Sequence, residues 1–112
     1  MTREFKLADI FGSFLAEGAK AAAFRMREIE PILGVYKEIV LDFSGVHNVN
    51  SSFANTLISP LIEVHGEAVL QQLRFKHCNA VVRVMIEAAL SLGLERTKGQ
   101  RPKPFVAGRP AN

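Results

Sequence analysis

The chain has 112 residues, 48% of them apolar, a formal net charge of +3 and a single cysteine. That length holds one modest core, no apolar run reaches the ~20 residues a bilayer requires, and a lone cysteine excludes an internal disulfide or a cysteine-based metal cluster. From Glu95 onward five basic residues (Arg96, Lys98, Arg101, Lys103, Arg109) face one acid, which leaves residues 1–94 at −1 and argues against a nucleic-acid-binding face on the body of the fold.

Phe5, Leu7 and Ile10 alternate within Glu4–Ile10 and predict a first strand, broken by Gly12-Ser13. From Leu15 to Leu33 an apolar stripe of Ala16, Ala19, Ala22, Ala23, Met26, Ile29 and Leu33 predicts a helix, with Lys20, Arg27 and Glu30 off the stripe. Pro31 and Gly34 mark its end. Glu38–Phe43 is a continuous apolar run, the pattern of a strand covered on both faces. A second helix runs from Ser51 or Ser52 to about Val64, with Phe53, Leu57, Ile58 and Leu61 inward and Asn55, Ser59 and Glu63 marking a wet side. Pro60 deletes one backbone hydrogen bond in its interior. Leu70–Phe75 is a third strand. Ala80–Leu92 is a third helix, apolar almost all round except Arg83, Glu87 and Ser91, and stopped by Gly93. So apolar a helix requires burial against the sheet or against another molecule.

Strands alternating with helices predict an α/β fold, with a mostly parallel sheet of three or four strands and packed helices. Ile39–Phe43 is expected at the centre of a three-layer-like arrangement, and Lys103–Ala107 is the candidate fourth strand. Residues 1–94 form the domain, and 95–112 form a basic, flexible tail.

The chemistry-bearing residues lie between Ile39 and Ile58. An apolar strand ending in Asp42-Phe43-Ser44-Gly45 delivers a carboxylate to the edge of a sheet. Asn50, Ser51 and Ser52 then stand at a helix start, where backbone N–H groups are unpaired and the dipole is positive. That geometry suits an anion, a phosphoryl group or a partner's acidic group. It also suits a cap, one of the three residues accepting a backbone bond worth about 1 kcal/mol. Asp42 is expected to organise the turn by accepting its N–H groups. His47, five residues on, is within reach of it, but no set of nucleophile, base and orienting group assembles. His47, His65 and His77 lack the spacing of a zinc site, and neither Gly-x-Gly-x-x-Gly nor a phosphate-loop lysine occurs, so no metal or cofactor is expected. Cys78 reads as a small hydrophobe. The start Met1-Thr2-Arg3-Glu4-Phe5-Lys6 lacks a signal-peptide layout, and the expected setting is cytoplasmic.

Leu41-Asp42-Phe43-Ser44-Gly45-Val46 followed by Asn50-Ser51-Ser52-Phe53-Ala54-Asn55, with Asn79 ahead of an apolar helix, resembles the STAS-like domain family of unknown function. Its members look like compact relatives of the STAS domain, named for sulfate transporters and anti-sigma factor antagonists. The family pattern is an apolar pair, Asp-Phe-Ser-Gly-Val, a short link and Ser-Phe-Ala-Asp-Glu-Leu; the chain matches through Ser52-Phe53-Ala54 and carries Asn55-Thr56-Leu57 in place of the acidic pair. The resemblance spans roughly Phe5 to Leu92. It implies a bacterial, non-enzymatic regulatory module that binds a protein partner, with a histidine-kinase-type ATPase fold as the partner. In the anti-sigma antagonists the second serine of an Asp-Ser-Ser-Gly turn is phosphorylated. That turn is Asn50-Ser51-Ser52-Phe53 here, which makes Ser52 the counterpart and Asp42, Ser44, Asn50, Ser51 and Asn55 the surrounding surface. Asn50 removes a carboxylate from the pattern, and Phe53 replaces a small residue. Two alternatives stand beside this reading: a homo-oligomeric assembly subunit joined through the third helix, and a small ligand-binding protein or enzyme using Asp42, His47 and Ser52. Neither a membrane nor a specific nucleic acid is implied as a partner.

Overall fold

The structure, a computed structural model, describes residues 1–100. Its elements run β1 (Thr2–Lys6), α1 (Leu7–Phe11), β2 (Phe14–Leu15), α2 (Gly18–Phe24), β3 (Glu38–Asp42), β4 (Asn48–Val49), α3 (Ser51–His65), β5 (Leu73–Lys76) and α4 (Ala80–Gln100). The fold is α/β. Its main sheet is parallel, in the order β1-β3-β5, and β2 and β4 form a separate two-residue parallel pair.

Alternation along the strands sorts the residues onto two faces. Phe5, Leu41 and Phe75 lie abreast, as do Ile39 and Leu73, and they pack into the core beneath the helices. On the opposite face Glu4, Val40 and Arg74 lie abreast. There Lys76 pairs with Glu4 at 3.2 Å and Arg74 with Glu38 at 3.5 Å. β3 is central, as its composition suggests, but the three-layer expectation fails. Both crossovers proceed across the sheet in one direction, so right-handed connections put α2 and α3 on the same side, and α3 packs between α2 and α4. Val40 is buried outside the core cluster, in register between Glu4 and Arg74.

The N-terminal third departs most from its sequence pattern. The first strand stops at Lys6 and turns into α1. The predicted Leu15–Leu33 helix starts only at Gly18, because Phe14 and Leu15 pair with Asn48 and Val49 as β2. It then widens into a π turn at Arg25–Ile29 and tightens into a 3₁₀ turn at Glu30–Ile32, next to Pro31. The wide turn brings Phe24 and Ile29, five residues apart, onto one buried face with Ala21. Ala19 and Met26, expected on the apolar stripe, are therefore exposed.

α3 is the hub of the core, with Phe53, Ala54, Leu57, Ile58, Leu61 and Ile62 all buried. Ser59, predicted on a wet side, is fully buried and donates to the Ala89 carbonyl at 2.8 Å. Pro60 supplies no N–H to the Thr56 carbonyl one turn back, and the Arg25 guanidinium donates to that carbonyl instead. Gly93 does not end α4. A Cβ there would lie 3.0 Å from Ile62 Cβ and 3.1 Å from the Ser59 carbonyl, so this glycine lets the two helices touch. Beyond it, Thr97 Oγ1 donates to the Ile62 carbonyl at 3.1 Å and Arg96 pairs with Glu63 at 3.1 Å. Glu95 to Gln100 are thus helical, while the predicted Lys103–Ala107 strand lies outside the described residues. Among the described residues no helix is long and apolar enough to cross a membrane.

Candidate functional site

Two loops at the carboxyl ends of β3 and β5 form one face, and each is anchored by an asparagine. Asn50 Oδ1 accepts from the Phe53 N–H at 2.8 Å and caps α3, while its Nδ2 donates to the Ala16 carbonyl at 2.9 Å. Asn79 Oδ1 accepts from the Val82 N–H at 2.8 Å and caps α4. Its Nδ2 donates to the carbonyls of His47 and Val46, at 3.1 and 3.3 Å. The Phe43–Val46 turn is closed by a 3.0 Å backbone bond, with Gly45 at φ 79°, the left-handed conformation its position demands. β2 fixes the far side of this loop, as His47 N–H donates to the Ser13 carbonyl and Asn50 N–H to the Leu15 carbonyl.

Asp42 is buried at the head of this turn. Its Oδ1 accepts from the Ser44 amide at 2.9 Å and the Ser44 hydroxyl at 2.7 Å, and meets His77 Nδ1 at 2.9 Å. Burial alone would push its carboxyl up, but the Ser44 bonds, aided by His77, outweigh it and hold the group well below the usual carboxylate range. The sequence leaves His47 within reach of Asp42; the structure puts His77 there and stacks His47 on Phe14, ring centroids 6.0 Å apart. His77 is 35 residues from Asp42 in sequence and reaches it only because β5 pairs with β3. Asp42, His47 and Ser52 are accordingly not brought together as one catalytic set.

Ser51 and Ser52 are both exposed, and neither hydroxyl hydrogen-bonds to another described residue. Asn50 has taken the cap. Phe53 turns inward instead, edge to face with Phe11 at 5.1 Å, so the bulky neighbour leaves Ser52 in the open. Ser52 Oγ rests against Gly18, where a Cβ would come within 2.8 Å of it. Asn55 is half-buried one turn further along. Cys78 is half-buried; burial pushes its thiol up, against a smaller opposing influence of Arg83, so it is not poised as a thiolate. Among the described residues no group of three or more His, Cys, Asp or Glu is placed to hold a metal ion.

The structure places Asp42 and Ser44 together in one turn and Asn50–Ser52 at the start of α3, where their spacing puts them, and it adds His77, which the sequence reading does not bring to Asp42. The one local signal is Asn79, an N-cap residue before an apolar run, which fixes where the β5–α4 loop must turn.

A comparison with protein families matches residues 20–83 to the STAS-like domain of unknown function (DUF4325). Neither the curated proteins nor the solved structures yield a match.

Proposed function

The chain belongs to the family of STAS-like domains of unknown function, and on that premise we propose that it is a regulatory module, similar to the anti-sigma factor antagonists, that binds a protein partner and catalyses no reaction of its own. Its working surface runs from Ser44, held by the buried Asp42, through the turn to Asn50, Ser51, Ser52 and Asn55. One observation carries the reading: with Asn50 as the cap, two exposed serines stand at the positive end of a 15-residue helix with their hydroxyls unengaged among the described residues. A phosphoryl group on Ser52 would be tolerated there and would present about −1.5 to −2 charges to a partner fitted to a neutral hydroxyl. The partner that suits this is a histidine-kinase-type ATPase fold, acting as kinase or as the sequestered regulator.

The test begins with affinity capture on the intact chain and identification of what is retained. Ser52→Asp should then keep the melting temperature and weaken binding by roughly tenfold or more, about 1.4 kcal/mol. Ser52→Ala should fold, bind and resist modification. Unchanged affinity in Ser52→Asp would remove the switch.

Self-association through α4 is a second reading, favoured by Val81 and Val84, which are 50% and 60% exposed and share a helix stripe with Ala88. Sedimentation of the wild type against Val84→Lys tests it: a dimer that becomes a monomer supports the reading, and a wild-type monomer ends it.

A further inference from the structure

We propose that His77 is a second phosphoacceptor, taking a phosphoryl group on Nε2 from a donor with a labile phosphorus–nitrogen bond, such as a phosphohistidine on a partner protein. The inference concerns a different residue from Ser52 and stands or falls independently of it.

The argument starts from the protons. An ionised carboxylate only accepts, so everything that contacts Asp42 Oδ1 must bring its own hydrogen. The Ser44 amide does so at 2.9 Å and the Ser44 hydroxyl at 2.7 Å. His77 Nδ1, at 2.9 Å, must therefore carry a hydrogen as well. The Ser44 hydroxyl hydrogen is already engaged, so its 2.9 Å contact with Nδ1 is one in which the serine oxygen accepts. Every proton is assigned, and one tautomer of the neutral ring remains: hydrogen on Nδ1, lone pair on Nε2. A buried carboxylate that fixes the tautomer and steadies the positive ring formed on reaction is how a histidine is made a nucleophile.

The placement fits an acceptor. His77 adopts φ 60°, a backbone conformation that glycine takes without strain, so a side chain is held there against local preference. The imidazole is 60% exposed although its Nδ1 edge is tied to the buried Asp42. A ring this open is not screened from water as an enzyme's own reacting centre would be, but it can enter another protein's active site. It borders a cleft of about 290 Å³ shared with Arg83 and Glu87. The Arg83 side chain makes no ion pair or hydrogen bond among the described residues, which leaves its charge available to a phosphoryl group. Glu87 is the opposing charge in the same cleft.

The step balances without a redox partner. The Nε2 lone pair attacks phosphorus and forms the new bond, and the donor's phosphorus–nitrogen bond breaks with its electron pair going to a leaving group already protonated in the donor, which departs neutral as imidazole from a phosphohistidine or as ammonia from phosphoramidate. The Nδ1 proton stays in place, donated to Asp42 and Ser44.

Phosphoramidate, which releases ammonia, is the probe. With the full chain, mapping the modified residues by mass spectrometry should show His77 reacting roughly tenfold faster than His47 and His65, with the product on Nε2. Ser44→Ala should narrow that lead, Asp42→Asn should abolish it, and Glu87→Gln should widen it. Should Asp42→Asn fail to fold, the ¹⁵N shifts of the wild-type imidazole report the tautomer with no substitution at all. Equal reaction of the three histidines, phosphorylation on Nδ1, or hydrogen on Nε2 in the neutral ring would each overturn the proposal.

Discussion

The start of α3 and the body of the helix treat their polar groups in opposite ways. Along the body of the helix, polar groups that meet α2 and α4 are committed. Ser59 donates to the Ala89 carbonyl, Thr97 reaches back to the Ile62 carbonyl, and Arg25 serves the Thr56 carbonyl that Pro60 leaves free. At the N-terminal start, Asn50 alone makes the side-chain cap and the hydroxyls of the two serines after it make no hydrogen bond among the described residues. Buried polar groups must be satisfied because an orphan costs about 1–3 kcal/mol, whereas exposed hydroxyls are satisfied by water at no cost to the fold. A substitution among the committed groups therefore reads out in stability, and one at the exposed serines reads out in whatever approaches from solvent.

The comparison is broken hardest at Gly93. Even a single added carbon would meet Ile62 Cβ at 3.0 Å and the Ser59 carbonyl at 3.1 Å, and neither atom is the far end of a flexible side chain. Gly93→Val adds two further methyl groups and a β-branched side chain, and should destabilise by about 3 kcal/mol in chemical denaturation. Gly93→Ala sharpens the point, because helix propensity alone would stabilise by ~1 kcal/mol. A net loss of stability in the alanine variant shows that close approach decides this position.

The next effect is smaller and more specific. Arg25 also pairs with Glu30 at 2.9 Å, so its loss strips a partner from a carboxylate and a backbone carbonyl together. Arg25→Met should cost about 1–3 kcal/mol. Pro60→Ala restores the N–H that α3 lacks, so the Thr56 carbonyl would then be served from within its own helix. In that background Arg25→Met should cost measurably less. A double-mutant cycle returning no coupling would separate Arg25 from the proline.

How far the sequence foretells these regions follows from the range of the forces involved. β3 and α3 are legible because their patterns are local: an apolar run ending in Asp42-Phe43-Ser44-Gly45, then a polar cap before an inward Phe53, Leu57 and Ile58. β2 is not, since two residues gain strand character only by meeting Asn48 and Val49 across a turn. Ser59 looks like part of a polar stripe with Asn55 and Glu63, and becomes a core residue only because α4 carries Ala89 and Gly93 opposite it. The candidate site divides in the same way. Asp42 and Ser44 are two residues apart and visible together, while His77 joins them through sheet register and leaves no trace in local spacing.

The smallest predicted effect is a pair of alanine substitutions two residues apart. Asn50→Ala removes the oxygen that caps the Phe53 N–H and the amide that holds the Ala16 carbonyl, and should lower stability by about 1 kcal/mol. Ser52→Ala removes a hydroxyl that bonds to no described residue, on a side chain open to water. Its effect should stay within roughly 0.5 kcal/mol, and the ordering matters more than either value. If Ser52→Ala proved the costlier of the two, the serine would be holding the helix start and Asn50 would be dispensable. The hydroxyl would then belong to the committed half of the comparison, and the case for Ser52 as a surface kept free for a partner would lose its physical basis. With the order as stated, the start of α3 is stable without Ser52, so any dependence of partner binding on that hydroxyl must come from the interface and not from the fold.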